Sequence, residues 1–331
     1  MTTKDEWESA LSAISGGGDN QNYVITVGGP VAGITGLVPG SFGAVTGVKV
    51  SLRGTGTLTL NTDSGSNNGS LVAVAAGQTL ILRGPTLTGK TVNAVSVIYV
   101  GPNATFMMRS GTITGNVTTS YGGGVYVSTT GSFTMSGGEI SDNSVTSYFG
   151  GGVRVGSNGS FTMTGGKISK NSSDWHGGGV YASGNSFILE GGGKISSNTT
   201  VNHGGGVYVY SGSFTMKGGE ISGNSAGQLG AGVLVGSAGG FTMEAGVISG
   251  NITDWYGGGV FTYGPFVKTG GAITGNDADP HGHAAYYSKG DSNSYYRDAD
   301  LNDGDDISTD GELPGSLGET LNNWTKYSST G

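Results

Sequence analysis

Apolar and polar positions alternate in short bursts along most of this chain. One stretch shows the pattern clearly: Gly124-Val125-Tyr126-Val127, Ser132-Phe133-Thr134-Met135 and Glu139-Ile140-Ser141, separated by Gly, Ser and Asn. A period of two over three or four residues, bounded by turn formers, predicts strands with one buried face. Val125, Val127, Phe133, Met135 and Ile140 then point inward, and Tyr126, Thr134, Glu139 and Ser141 outward.

The bursts recur. A Gly-Gly-Gly-Val motif starts at Gly122, Gly150, Gly177, Gly204, Gly230 (as Gly-Ala-Gly-Val) and Gly257, a step of about 27 residues. Phe106, Phe133, Phe161, Phe187, Phe214, Phe241 and Phe266 share that step, as do Asn116, Asn143, Asn171, Asn198, Asn224, Asn251 and Asn276, each three positions after an Ile. No segment holds a long strand followed by a crossover helix, so each strand must pair with its equivalent one repeat later, ~4.8 Å away. The pattern predicts an all-β parallel β-helix of about nine coils with three short strands per coil. Stacking like on like yields internal columns, and the Asn column reads as a ladder of amides at a tight turn.

Weaker coils precede the motif region, at Val48–Leu52 with Thr57–Leu60, and at Leu71–Val74 with Thr79–Leu82. These give a solenoid over residues 41–290, an N-terminal cap over 1–40 made of a short helix and a first strand, and an acidic C-terminal cap or tail over 291–331. Thr3 and Glu6 have capping-box spacing, and Trp7, Leu11 and Ile14 share one helical face. That helix is expected to plug the first coil, because an open solenoid end exposes unpaired strand edges.

Composition narrows the reading. Glycine accounts for 69 residues without the three-residue period of collagen, and 34% hydrophobic against 11% charged residues argues for a folded chain. A net charge of -8 with only 15 scattered Lys and Arg gives no basic surface for nucleic acid. There is no cysteine, hence no disulfide or thiolate chemistry. No apolar run is long enough for a transmembrane helix.

The motif set, Gly-Gly-Gly-Val-Tyr-Val with Gly-Ser-Phe-Thr-Met-x-Gly-Gly-x-Ile-Ser-x-Asn, resembles the repeats of treponeme-type surface proteins of the pectin-lyase-like superfamily. It is also similar to the repeats of chlamydial polymorphic outer-membrane adhesins. The resemblance spans residues 70–290 and is strongest over 106–276. It implies a right-handed coil, export and display at the cell surface, with signal and anchor lying outside these residues, and it carries over no catalytic residue.

Two departures from the repeat are candidate sites. The first is the loop before each glycine triplet, which places Tyr121, Tyr148, Phe149, Trp175, His176, His203, Trp255 and Tyr256 on successive coils. Such a strip, flanked by Asp174 and Asp254, suits a glycan, whose rings stack on aromatic faces; rings that merely shield the loop backbone are the other reading. An outward column of Tyr99, Tyr126, Arg154, Tyr181, Tyr208, Leu234 and Phe261 reads as cross-strand packing or a self-association surface. The second departure is Asp298, Asp300, Asn302, Asp303 and Asp305, whose alternating oxygen ligands resemble a calcium loop, although the glycine falls one position late for an EF-hand. A solvated acidic turn is the alternative there.

Glu139, Lys167, Lys194 and Glu220 occupy one outward column, which puts the two acids three coils or ~14 Å apart. That exceeds the ~5–9.5 Å of a glycosidase pair. The sequence therefore favours a non-enzymatic, secreted or surface-displayed adhesin or structural β-helix, with a host or cell-surface protein, a glycan or a second copy as partner. The alternative is a carbohydrate-binding or polysaccharide-degrading β-helix that uses the loop aromatics.

Overall fold

A computed structural model describes residues 1–35, 41–61, 69–278 and the strands at 285–288, 295–298, 311–313 and 324–327. The strands stack in parallel, in register, as a β-solenoid of about nine turns. The column of large apolar residues shows the register: Tyr23, Val50, Leu80, Phe106, Phe133, Phe161, Phe187, Phe214, Phe241 and Phe266 lie opposite one another in successive coils. The seven Phe rings stack at 4.6–4.9 Å with interplanar angles of 1–9°. Beside them run a column of Met and Leu and a column of Ile, all fully buried.

Three strands per coil is the right count, but they are divided differently from the prediction. In one representative coil the first is Val125–Val127. The segments around Phe133 and Ile140 join into one bent strand, Ser132–Ser141, which turns its corner at Gly137 and Gly138 with a register shift. The third is the two-residue strand Ser144–Val145 just after Asn143, one of seven such strands that form a sheet of their own. Two residues are too few for an alternation to be visible in the sequence.

The asparagines at this corner form the expected ladder. Asn171 donates from its backbone N–H and from Nδ2 to Asn198 Oδ1, at 3.0 and 3.1 Å, and from Nδ2 to Ile140 O at 2.9 Å. The same set recurs at Asn198, Asn224 and Asn251, and all these side chains are buried. A side-chain amide has two donors and one acceptor with two lone pairs, so it both satisfies the turn backbone and links coils without an orphan group.

The ends are closed by different means. Helix α1, Lys4–Gly16, begins at a capping box in which the Thr3 side chain accepts from Glu6 N–H and Glu6 accepts from Thr3 N–H. It buries Trp7 and Ile14 against the first coil. Parallel pairing already starts at Asn22–Val27 on Lys49–Gly54, within the segment the sequence reading gives to the cap. At the other end the direction reverses: Tyr295–Asp298 runs antiparallel on Ala285–Ser288, Trp324–Tyr327 antiparallel on Tyr295–Asp298, and Gly311–Leu313 antiparallel on Phe266–Lys268. These strands take up edge hydrogen bonds that a further coil would otherwise recruit.

Candidate functional site: an aromatic ridge along the coils

The loop between each two-residue strand and the next glycine triplet is held by two devices. The first is the triplet itself. Gly150 has φ +79°, a left-handed value that disfavours side chains, and a Cβ on Gly151 would come within 2.4 Å of two carbonyl oxygens of the next coil, those of Ser172 and Gly178. The second is a row of inward hydroxyls. Ser173 Oγ donates to Tyr148 O, Thr200 Oγ1 to Trp175 O and Thr253 Oγ1 to Gln228 O, at 2.9, 3.1 and 2.7 Å. Each fixes the loop of the preceding coil from below.

Fixed in this way, the loop residues separate into two columns with opposite fates. The residues immediately before the glycines, Phe149, His176, His203, Leu229 and Tyr256, bridge one another in parallel and turn inward over the wall. Phe149 stacks on His176 at 5.3 Å and on Tyr181 at 4.7 Å; His176 stacks on His203 at 4.9 Å and meets Tyr208 edge-on. Further along, Leu229, Leu234 and Phe261 make a small apolar cluster of their own with Tyr208 and Tyr256. The residues one position earlier are Tyr148, Trp175, Asn202, Gln228 and Trp255. Here Tyr148, Trp175 and Trp255 are 42%, 51% and 53% exposed.

The eight predicted loop residues thus do not form one surface. Tyr148, Trp175 and Trp255 stand out as a ridge, while Phe149, His176, His203 and Tyr256 form the layer beneath it, because the former sit in the bend of the loop and the latter form bridges to the neighbouring coils. Tyr121 starts the lower layer, 4.4 Å from Tyr148, with the Arg154 guanidinium 3.6 Å over its ring. The outward column of Tyr99 to Phe261 is in the expected register, but it is not an exposed strip. Tyr181, Leu234 and Phe261 are buried, since the inward loop residues lie over them.

Burial tunes the titratable groups in this layer. Desolvation, followed by the charge of His203, holds His176 down to about 4, and burial also lowers His203. Among the described residues neither Nδ1 has a hydrogen-bond partner. Burial raises the Tyr208 hydroxyl to about 12 and pushes Tyr181 upward as well. These groups stay uncharged at neutral pH, and the layer behaves as a second apolar core outside the coil.

Sequence reasoning leaves Asn202 and Gln228 out of the site, yet they fill the ridge between Trp175 and Trp255. The ladder bonds set this placement: Gln228 N–H donates to Asn202 O at 2.9 Å and Tyr256 N–H to Gln228 O at 3.2 Å. Spacing places each at the same loop position as a Trp, but a reading that follows the aromatics alone passes over the two amides.

On another wall, the Glu139, Lys167, Lys194 and Glu220 column is paired as expected, with Lys194 Nζ 2.8 Å from Glu220 Oε2. The Lys194 bond is the main cause lowering the Glu220 carboxyl. An extra residue in Glu190-Gly191-Gly192-Gly193 interrupts the bent strand there and leaves a depression of about 300 Å³ beside that pair. Of the predicted calcium segment, Asp300, Asn302, Asp303 and Asp305 lie outside the described residues, and Asp298 is placed only as the end of a strand. Among the described residues no three His, Asp or Glu side chains come together, and no helix is long and apolar enough to cross a membrane.

Residues 91–248 match the family model of a right-handed β-helix region. Together with the coil geometry, this makes the fold a right-handed parallel β-helix repeat protein. Neither the curated proteins nor the solved structures provide a significant match.

Proposed function

We propose that this chain is a non-enzymatic attachment module, secreted or displayed at the cell surface. One observation carries the reading: three large aromatic side chains, Tyr148, Trp175 and Trp255, are held half in solvent on an underlayer of stacked rings. Tyr148 and Trp175 touch the layer below edge-on yet leave about half of their surface in water, and large aromatics on a preorganised surface are the usual anchors of recognition. The likeness of the repeat to treponeme-type and chlamydial surface proteins supports display outside the cell.

The glycoside-hydrolase form of the polysaccharide-degrading alternative needs an acid pair at the ridge. The carboxylates beside it, Asp174 and Asp254, are three coils or ~14 Å apart, beyond the ~5–9.5 Å of a glycosidase pair.

The test is adhesion of particles coated with the full chain to a panel of epithelial and microbial cell surfaces. Adhesion to at least one surface, lost in the Trp175→Ala, Trp255→Ala double variant, is expected. Adhesion that is unchanged in the double variant, or absent throughout the panel, would remove the proposal.

A further inference from the structure

We infer that the ridge is a linear binding site for an uncharged or amine-bearing β-linked glycan lying along the solenoid axis. The inference rests on the attachment reading and names its ligand.

The argument starts from order and spacing. Successive coils present Trp175, Asn202, Gln228 and Trp255 at one loop position, each ~4.8 Å from the next. An extended chain of pyranose rings advances by a length close to that spacing, so sugars three residues apart meet the two indoles. Between these apolar platforms stand two amides. Asn202 Nδ2 donates to Asp174 O at 3.3 Å, which leaves its Oδ1 as an acceptor, and Gln228, half-buried like Asn202, stands at the next loop position. Each amide offers both donor and acceptor, as sugar hydroxyls do. Apolar plates with a few convergent amides are the composition of a site that orients a polyhydroxylated ligand, whereas a protein-binding patch needs a continuous apolar centre.

Charge selects within the glycans. The exposed carboxylates of Asp174 and Asp254 each directly precede a ridge Trp. A uronic or sulfated polymer would set its anions against both carboxylates, which is rejection by like charge, while amines would be attracted. Arg154 is turned under the ridge: its Nε and Nη1 are buried and its guanidinium lies on Tyr121. It is not placed to offset that repulsion.

The test is titration calorimetry of the full chain with soluble oligomers of three kinds: a neutral β-glucan, chitosan and polygalacturonate. Binding of the first two and not the third is expected, with about ten-fold weakening for each of Trp175→Ala and Trp255→Ala and a smaller loss for Asn202→Ala or Gln228→Ala. Asp174→Asn with Asp254→Asn should weaken chitosan and admit polygalacturonate. Tighter binding of polygalacturonate by the unaltered chain would overturn the charge argument. No binding of any oligomer, or binding indifferent to both Trp changes, would overturn the glycan inference. If cell adhesion still depends on the two Trp residues in that case, the attachment reading survives with a protein ligand; if adhesion fails too, both fall.

Discussion

Two aromatic ladders run along the repeats of this molecule, an inner one on the second strand of each coil and an outer one over the first, and they obey different rules. The inner one is a column of identical Phe rings, nearly parallel and 4.6–4.9 Å apart. The outer one mixes Tyr, Phe, His, Leu and Arg, with ring angles from 3° between Phe149 and His176 to 76° between Tyr181 and Tyr208. Inside, each ring is enclosed on all sides, so a change of shape in one coil is felt in its neighbours. Outside, Tyr126, Phe149, His176, His203 and Tyr208 are only partly covered, and different shapes can share a column. The coil spacing imposes identity only where packing is closed.

Substitution at equivalent depths is the strongest way to break this comparison. Phe187→Ala in the inner stack should cost about 3–5 kcal/mol, read as a drop in the denaturant midpoint. Tyr208→Ala in the outer layer should cost about 1–2 kcal/mol, because it loses mainly aromatic contact beyond a partly exposed area. Equal losses would mean that the outer layer is as closed as the inner one.

Acid should separate the ladders as well. His176 is held at about 4 in the folded chain and His203 is lowered too, against about 6.5 for an unfolded histidine. The unfolded chain therefore binds protons first as pH falls. The stability due to the neutral imidazoles is full above about pH 6.5 and is lost as pH drops toward 4. The melting temperature should fall through that window, and His176→Gln with His203→Gln should flatten the fall. An unchanged profile in the double variant would place the acid sensitivity elsewhere.

The smallest effect belongs to the ridge. Trp175→Ala should change stability by no more than about 0.5 kcal/mol, since half the side chain is already in water. A large loss in a thermal melt would mean that the ring belongs to the outer core and is not available for a ligand.

Much of this was legible in the sequence. The Phe, Ile and Asn columns were readable because the same enclosure repeats every coil and leaves the same residue in place, and the capping box at Thr3 and Glu6 because it is local. The two-residue strands after each Asn were not, since no periodicity can register in two residues. The loop aromatics were visible as a set but not as two sets.

The sequence by itself determined the coil length, the residues facing the core and the loop position where aromatics gather. Only the tertiary structure decided which of those aromatics reach solvent. Composition treats Phe149 and Tyr148, or His176 and Trp175, as neighbours of one kind. The loop backbone, fixed by glycine turns below and by hydroxyls such as Thr200 donating to Trp175 O, turns the first of each pair onto the wall and the second outward. Which residue of each pair faces the wall is set by bonds to the neighbouring coils, and those exist only once the coils are stacked.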